Sequence, residues 1–495
     1  MVRFKLNHII EATRNRIIDD IFHQRFKSIT GFLILLFVSS IITIFIYKVN
    51  SFLIYIPLIG IIGLMCFILI VGNVFFAVSL AIVISIISNP INKYLLNYLP
   101  FGTIVDLIIV LSFVGCLGKQ LREKKWSVEL LSHQVTVVQL LFFLLMIVEA
   151  FNINMHSYEG YFAIVRRAPI FIFLYFIVAY ELNDRNFVKK FLILWFIVAL
   201  LNALYGVYQE IFGLADFEMR YLNSDEGAFK RVFIEGRFRK FSLFNDPTSF
   251  GIFMTMSGLF FMILSISYPT SLKKKILLFI GSLVMFVSMA FSGTRTAYAM
   301  LPAGILIYTL MTITQKRTLI LTSLVASVFV IIIYGPIYGN KTINRIRSTF
   351  SFSDDASLSV RDVNRAFIQP YIYEHPIGGG IGTSGVPGKI FNPNHYLAGF
   401  PPDSAYLQVA LEFGYVGFFI MMITMYVYIR TIIKGYYQSK SPKIKAIYIA
   451  LSAVVFSIII AQYTQYALSF TNRLFFIVVL ALRVYLRWFD KKENE

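Results

Sequence analysis

TSFGIFMTMSGLFFMILSISY, residues 248–268, runs for 21 positions without a charged side chain. A helix of ~20 apolar residues crosses the ~30 Å hydrocarbon core of a bilayer while satisfying every backbone polar group within itself. The stretch therefore reads as a membrane-spanning helix, and Lys273-Lys-Lys275 behind it reads as an anchor at the cytoplasmic surface. The pattern recurs on both sides of it. Candidate spans lie at 30–47, 52–70, 74–89, 102–118, 134–150, 162–180, 191–208, 248–268, 275–292, 297–313, 318–334, 404–430, 446–468 and 472–486. The weakest are 74–89, parted from its neighbour only by Gly72 and Asn73, and 472–486. The predicted fold is an all-α polytopic membrane protein with about 14 spans, or 12 if the weak pair fails.

Composition agrees. Of 495 residues, 58% are hydrophobic and only 14% charged, against roughly a quarter charged in a soluble domain, which excludes a soluble globular enzyme. The two cysteines, Cys66 and Cys116, each sit inside an apolar run, so neither a disulfide framework nor a Cys-based metal site is expected. No cleavable signal peptide is expected, because the first apolar run follows a long charged segment. In that segment, 1–29, Ile9, Ile10, Ile17, Ile18, Ile21 and Phe22 recur at roughly helical spacing among Arg and Lys. It reads as an amphipathic helix on the membrane surface, with a partner-binding helix as the alternative.

The net charge of +19 is tested first as a topology signal rather than as a nucleic-acid footprint. With the N-terminus cytoplasmic, 27 of the 45 Lys and Arg fall inside; of the 18 outside, six lie in each of two long loops, 209–247 and 335–403. Long loops largely escape the positive-inside bias, so both termini are placed in the cytoplasm. The resulting segments are a cytoplasmic piece (1–29), an N-terminal bundle (30–208), a first external loop (209–247), further spans (248–334), a large external loop (335–403), C-terminal spans (404–486) and a tail (487–495). Long ordered loops are usually functional, and outside the membrane neither ATP nor nucleotide-sugars abound.

Arginines gather where those loops meet the membrane. Arg166-Arg167 begin one span, Arg237 and Arg239 close the first loop, and Arg295 caps another span. Arg361 and Arg365 are four apart in Ser359–Gln369, so as a helix it presents both on one face and Val360, Val363 and Phe367 on another, with Ser359 as N-cap and Pro370 as stop. A guanidinium near the bilayer is costly without a partner, and its planar fork suits a phosphate. The set reads as a site for a lipid-linked diphosphate; the competing reading is local pairing with the seven acids of the first loop.

The second loop closes on Phe400-Pro-Pro-Asp403-Ser-Ala-Tyr406, with Glu412 nine residues beyond Asp403 and therefore off its helix face. Asp403 is placed either as a base for a sugar hydroxyl or as a plain helix N-cap. Glu412 is expected to pair with an arginine or fix helix packing. Gly378-Gly-Gly-Ile-Gly382 lacks a strand–turn–helix context and is expected to be a flexible turn. His395 can contact sugar hydroxyls or be a solvated loop histidine, and no metal-ligand spacing appears.

Four segments together resemble the O-antigen ligase and polymerase superfamily: Arg239–Gly251, Ser292-Gly-Thr-Arg295, Arg361 through Gly380, and Asp403-Ser-Ala-Tyr406-Leu with Glu412-Phe-Gly414. The resemblance spans about 239–416. Ser242 and Thr248 depart from a usual Gly and Asn, and Asp403 stands where the ligases carry a histidine. The resemblance implies a glycosyltransferase of GT-C-like architecture in the bacterial cytoplasmic membrane, with its active site on the extracytoplasmic face. Its donor would be a glycan on polyprenyl (undecaprenyl) diphosphate, its acceptor another lipid-linked repeat, its cofactors none and its metal none. Diphosphate binding falls to Arg237, Arg239, Arg295, Arg361 and Arg365, catalysis to Asp403, and support to Tyr406, His395 and Glu412. Membrane lipids, a flippase and a chain-length regulator are the expected partners, and nucleic acid is not. The Asp403 departure favours an envelope or exopolysaccharide polymerase over a lipid A core ligase. A flippase, which would be expected to show two related halves and a midplane polar site, and a non-catalytic scaffold are the rival classes.

Overall fold

The computed structural model describes residues 55–96, 100–123, 128–181, 185–234, 236–337, 339–350 and 356–494. The surface helix expected at 1–29 and the span at 30–47 lie outside the described residues, as do the first residues of 52–70. Residues 1–69 and 70–495 form two units, the first described only in the opening turns of α1 (Tyr55–Gly72). Asn73 then caps α2 (Val74–Leu95), its side chain accepting from the Phe76 N–H at 3.1 Å, so a capped helix start makes the two-residue turn. There follow α3 (Phe101–Glu123), α4 (Val128–Leu131), α5 (Gln134–Val148), α6 (Tyr158–Val165), α7 (Ala168–Glu181) and α8 (Arg185–Phe212).

The first long loop folds into α9 (Asp216–Ser224), α10 (Glu226–Val232) and a hairpin of β1 (Phe233–Ile234) with β2 (Arg237–Phe238), Phe233 opposite Phe238. Next come α11 (Pro247–Ser267), α12 (Leu272–Phe291), α13 (Arg295–Thr312) and α14 (Lys316–Tyr334). The second loop holds α15 (Lys341–Phe350), α16 (Ala356–Glu374) and α17 (Gly385–Phe391), before α18 (Ala405–Gln438), α19 (Pro442–Thr464) and α20 (Phe470–Asn494).

Ten helices among the described residues are long and apolar enough to cross a membrane. All twelve candidate spans from residue 74 onward fall on helices. The two outside the ten are α13, which carries Arg295 and Pro302, and the short apolar part of α20, Phe470–Leu482. The protein is an all-α multi-pass membrane protein.

Its core is α11, the segment with which the sequence reading began, buried along nearly its whole length among α12, α13 and α19. Lipid offers helices no hydrophobic drive to associate, so close van der Waals contact has to supply it. Gly258 shows how: a Cβ there would lie 2.6 Å from the Phe286 ring. Trp195 stacks on Phe260 at 4.6 Å and donates its indole N–H to Ser257 at 2.8 Å, which satisfies a polar atom that lipid would leave bare. At the loop-bearing end, Asp246 caps α11 by accepting from the Thr248 and Ser249 N–H groups at 2.9 Å, with Pro247 in the first turn.

Candidate active site

The helix ends that meet the two long loops form a single face. Asn89 of α2 donates to the Leu243 carbonyl (3.0 Å), Thr296 of α13 pairs with Thr464 of α19 (3.0 Å), and Tyr406 of α18 donates to the Ile459 carbonyl (3.0 Å).

Arg239 is built into this face. Its Nε donates to the Ser292 carbonyl at 2.8 Å, Nη1 to the Arg231 carbonyl at 3.2 Å and Nη2 to Thr294 Oγ1 at 2.9 Å. Burial, and then the nearby Arg345 charge, push its pKa down to about 10. Arg237 pairs with Glu210 at 2.5 Å and also donates to Thr342 of α15, while Lys240 lies 3.6 Å from the same carboxylate. Arg295 Nη2 donates to Ser348 at 3.3 Å. A cavity of about 30 Å³ lies between Arg237, Arg239, Tyr298, Lys341 and Arg345. These bonds tie the first loop to the ends of α12 and α13 and α13 to α15, and they engage all three nitrogens of Arg239 with protein.

In the second loop the helix begins at Ala356, three residues before Ser359, and passes through Pro370 to Glu374. Pro370 removes one backbone donor but does not stop the helix, because Ile368 and Tyr371 on either side of it are buried against Leu397 and Leu411. Val363 and Phe367 are exposed instead. Arg361 lies on this helix, with its side chain outside the described residues. Arg365 stacks over the Tyr463 ring at 5.1 Å and approaches its hydroxyl at 3.4 Å.

The glycine segment is not a loose turn. Gly414 interrupts α18 at φ 62°, ψ −158°, which frees the Leu411 and Glu412 carbonyls; Gly379 and Gly380 N–H groups take them at 2.8 and 2.9 Å. Tyr415 N–H goes to the Pro376 carbonyl at 2.9 Å. The Glu412 carboxylate is buried and accepts from Ser384 Oγ at 2.5 Å, with Gly382 and Ser384 N–H groups also on it. Glu412 thus fixes packing and pairs with no arginine among the described residues. Asn152 and Asn154 hold the same segment from the end of α5, donating to the Ile377 and Gly378 carbonyls at 3.0 and 2.8 Å.

His395 is buried rather than solvated. Its Nδ1 accepts from the Leu397 N–H at 3.1 Å, and its ring lies 5.2 Å from that of His156. Burial first, then the charges of His156 and His375, hold its pKa below the ordinary 6.5. Opening the loop restores 6.5, so the open state binds more protons between the lowered value and 6.5. The stability His395 contributes is complete above 6.5 and is lost as pH falls below it. Protease cleavage within 376–400 should therefore speed up on acidification in the wild type, and by a smaller factor in His395→Gln. Equal acceleration in both would contradict this.

Asp403 is half-buried and makes no hydrogen bond or ion pair among the described residues. Ser404, not Asp403, caps α18, its Oγ accepting from the Leu407 N–H at 3.0 Å. Capping therefore does not account for the aspartate. Two residues on, Ala405 begins the wall of a cavity of about 270 Å³ between α5, α7, α18 and α20.

That cavity is mostly apolar, lined by side chains such as Phe142, Met146, Phe171 and Met425, and two arginines project into its wall: Arg167 and Arg473. The Arg167 guanidinium lies 5.3 Å from the Phe470 ring and makes no hydrogen bond; its Nε is buried without a partner. Arg473 lies 4.9 Å from the Phe171 ring and donates to the Tyr466 hydroxyl. Neither has a carboxylate within ion-pair distance among the described residues, although Asp106 of α3 lies close enough to Arg167 for the two charges to interact. Both also stand at helix N-termini, Arg167 just before α7 and Arg473 in the first turn of α20. The α20 dipole disfavours a cation at Arg473 and favours an anion, whereas Arg167 stands between the C-terminus of α6 and the N-terminus of α7. Sequence reasoning counted Arg167 in the loop–membrane arginine set but not among the named diphosphate-binding residues, and it passed over Arg473, although a cation in the first turn of a helix was a readable signal.

Residues 280–422 match the family model described as O-antigen ligase. That stretch is similar to the O-antigen ligase and polymerase superfamily. The match begins within α12 and ends within α18, so it contains Ser292–Arg295, the second loop, Asp403, Glu412 and the Gly414 break. The resemblance read from the sequence holds over this stretch. The Arg239–Gly251 segment, Arg167 and Arg473 lie outside it. No curated protein matches the chain. The match supports a membrane role of the polysaccharide ligase or polymerase kind.

Proposed function

We propose that the protein polymerises oligosaccharide repeat units carried on polyprenyl diphosphate, at the extracytoplasmic face of a bacterial cytoplasmic membrane. One observation carries the reading: two arginines with no carboxylate in direct ion-pair contact among the described residues, on the wall of an apolar cavity, in a chain whose residues 280–422 match the O-antigen ligase family model. A cation at membrane depth is expensive until an anion joins it, and an apolar chamber beside it suits a prenyl chain. A lipid diphosphate supplies both.

In the proposed step the acceptor hydroxyl oxygen bonds to the anomeric carbon of the donor. The bond from that carbon to the diphosphate oxygen breaks, and its electron pair leaves with the carrier. The hydroxyl proton passes to the Asp403 carboxylate. Arg167 and Arg473 stabilise the charge that grows on the leaving diphosphate. Arg365 and Arg295 stand on the same loop face, and Arg237 and Arg239 hold that face together. The leaving group is already activated, so the step balances without ATP or a metal. A flippase to deliver the donor and a chain-length regulator complete the proposed partners.

The ligase reading is supported by the family's description and uses the same chemistry on another acceptor. A deletion strain separates them. Single repeats on the final carrier mark a polymerase, whereas long polymer stranded on polyprenyl diphosphate marks a ligase. Purified protein in detergent should lengthen or transfer the glycan of a lipid-linked donor with no sealed compartment, and Asp403→Asn should slow this by roughly 10²-fold or more. Unchanged glycans in the deletion strain would remove both readings, and activity only in sealed vesicles would favour a transporter.

A further inference from the structure

A second cavity, of about 230 Å³, opens on the other side of Arg167, which contributes to the walls of both. The two chambers differ in chemistry. The first is walled by aromatic rings, methionines and aliphatic side chains. The second is lined mainly by hydroxyls, amides and one carboxylate from the end of α2, the turn before α11 and the α19–α20 connection, with Phe101 and Val105 of α3 on one side. We infer that this polar chamber binds the sugar residue bonded to the donor's diphosphate, with the prenyl chain in the apolar chamber and the diphosphate at Arg167 between them. The inference rests on the proposed lipid-diphosphate donor and adds to it a saccharide subsite formed outside the ligase-type domain.

The polar groups suit a polyol rather than a second anion. Asp246 presents a carboxylate whose Oδ1 takes two backbone N–H groups and whose Oδ2 takes Ser249 Oγ at 2.7 Å; it can still accept from a hydroxyl but would repel a phosphate. Asn89 spends its N–H₂ on the Leu243 and Ser85 carbonyls, at 3.0 and 3.3 Å, which leaves Oδ1 without a protein donor. Among the described residues, Ser469 Oγ is buried with no hydrogen-bond partner, and Asn245 is exposed at the rim with none. A buried unsatisfied hydroxyl costs about 1–3 kcal/mol, which a ligand hydroxyl would recover. Phe470 adds ring surface of the kind that packs against a pyranose face. The chain between the chambers sorts itself in the same way: Leu468 and Arg473 line the apolar one, Ser469 and Thr471 the polar one.

The test compares two ligands on the detergent-purified full chain. One is the lipid-linked glycan extracted from cells lacking the protein; the other is bare polyprenyl diphosphate. Wild type should bind the glycan-bearing lipid roughly tenfold more tightly, the worth of one or two hydrogen bonds. Ser469→Trp, which fills the chamber, should erase that preference, with continued binding of the bare carrier showing that the variant is folded. Asn245→Ala, at the exposed rim, should shrink the preference if Ser469→Trp does not fold. A wild type without preference, or variants that keep it in full, would overturn the saccharide subsite while leaving the carrier site standing. No binding of the bare carrier by wild type would fell the lipid-diphosphate reading itself, and this inference with it.

Discussion

Alanine at both Arg167 and Arg473 should abolish glycan transfer while the protein still accumulates in the membrane. Removing one partner of a desolvated charge pair costs about 2–5 kcal/mol, so each single change should lower kcat/KM by roughly 10²-fold or more, and the pair by a larger factor. Lysine should restore part of the rate, since it keeps the charge but loses the flat fork that meets two phosphate oxygens. Stability should move the other way. The Arg167 guanidinium makes no hydrogen bond among the described residues and its buried Nε has no partner, so Arg167→Met should leave the melting temperature unchanged or raise it. Arg239 supplies the contrast. Its three nitrogens serve the Ser292 carbonyl, the Arg231 carbonyl and Thr294, so Arg239→Ala should cost stability first and activity as a consequence. Transfer assays and thermal scans on the same preparations separate the two roles. Wild-type turnover by the double alanine variant would remove the diphosphate from this cavity.

The asymmetry between these arginines also shows what a sequence discloses. Spans were legible because lipid imposes one rule on every crossing segment, and α11 obeys it over its whole length. The loop–membrane arginines were legible as a class, because a cation is conspicuous in a chain so poor in charge. Their division of labour was not. Whether a guanidinium faces Glu210, a carbonyl or an apolar chamber depends on residues 27 to more than 300 positions away, as for Arg237 with Glu210 and Arg473 beside Phe171. The same distance hid the role of Glu412, whose partner Ser384 lies in another segment, and the burial of His395 beside His156. Local rules also yielded to packing at Pro370, where Ile368 and Tyr371 carry a helix past a residue that would end an isolated one. At Asp403 the local rule was right about a cap and wrong by one residue, and that residue is what leaves the carboxylate available for chemistry.

Gly414→Ala should be the most destabilising single change in the ligase-type domain. At φ 62° and ψ −158° the backbone occupies a region that is essentially glycine's alone, and a Cβ there would stand 2.0 Å from the Pro376 carbonyl oxygen and 2.6 Å from the Gly378 nitrogen. Both obstacles are backbone, so no side chain can swing away to make room. Strain of about 1–3 kcal/mol adds to the loss of the exchange in which Gly379 and Gly380 satisfy the carbonyls that the break exposes. A total above about 3 kcal/mol is expected, seen as a large fall in melting temperature in detergent and as new protease cuts within 376–400. Gly378→Ala meets the same junction from the loop side, its Cβ 2.5 Å from the Gly414 nitrogen. Because either change opens one shared contact, the double variant should cost clearly less than the two singles combined. Additive losses would show that the two glycines act separately. A Gly414→Ala protein that melts like wild type would mean that the second loop is not clamped to α18 in this way, and that Asp403, at the near end of that helix, is held by something else.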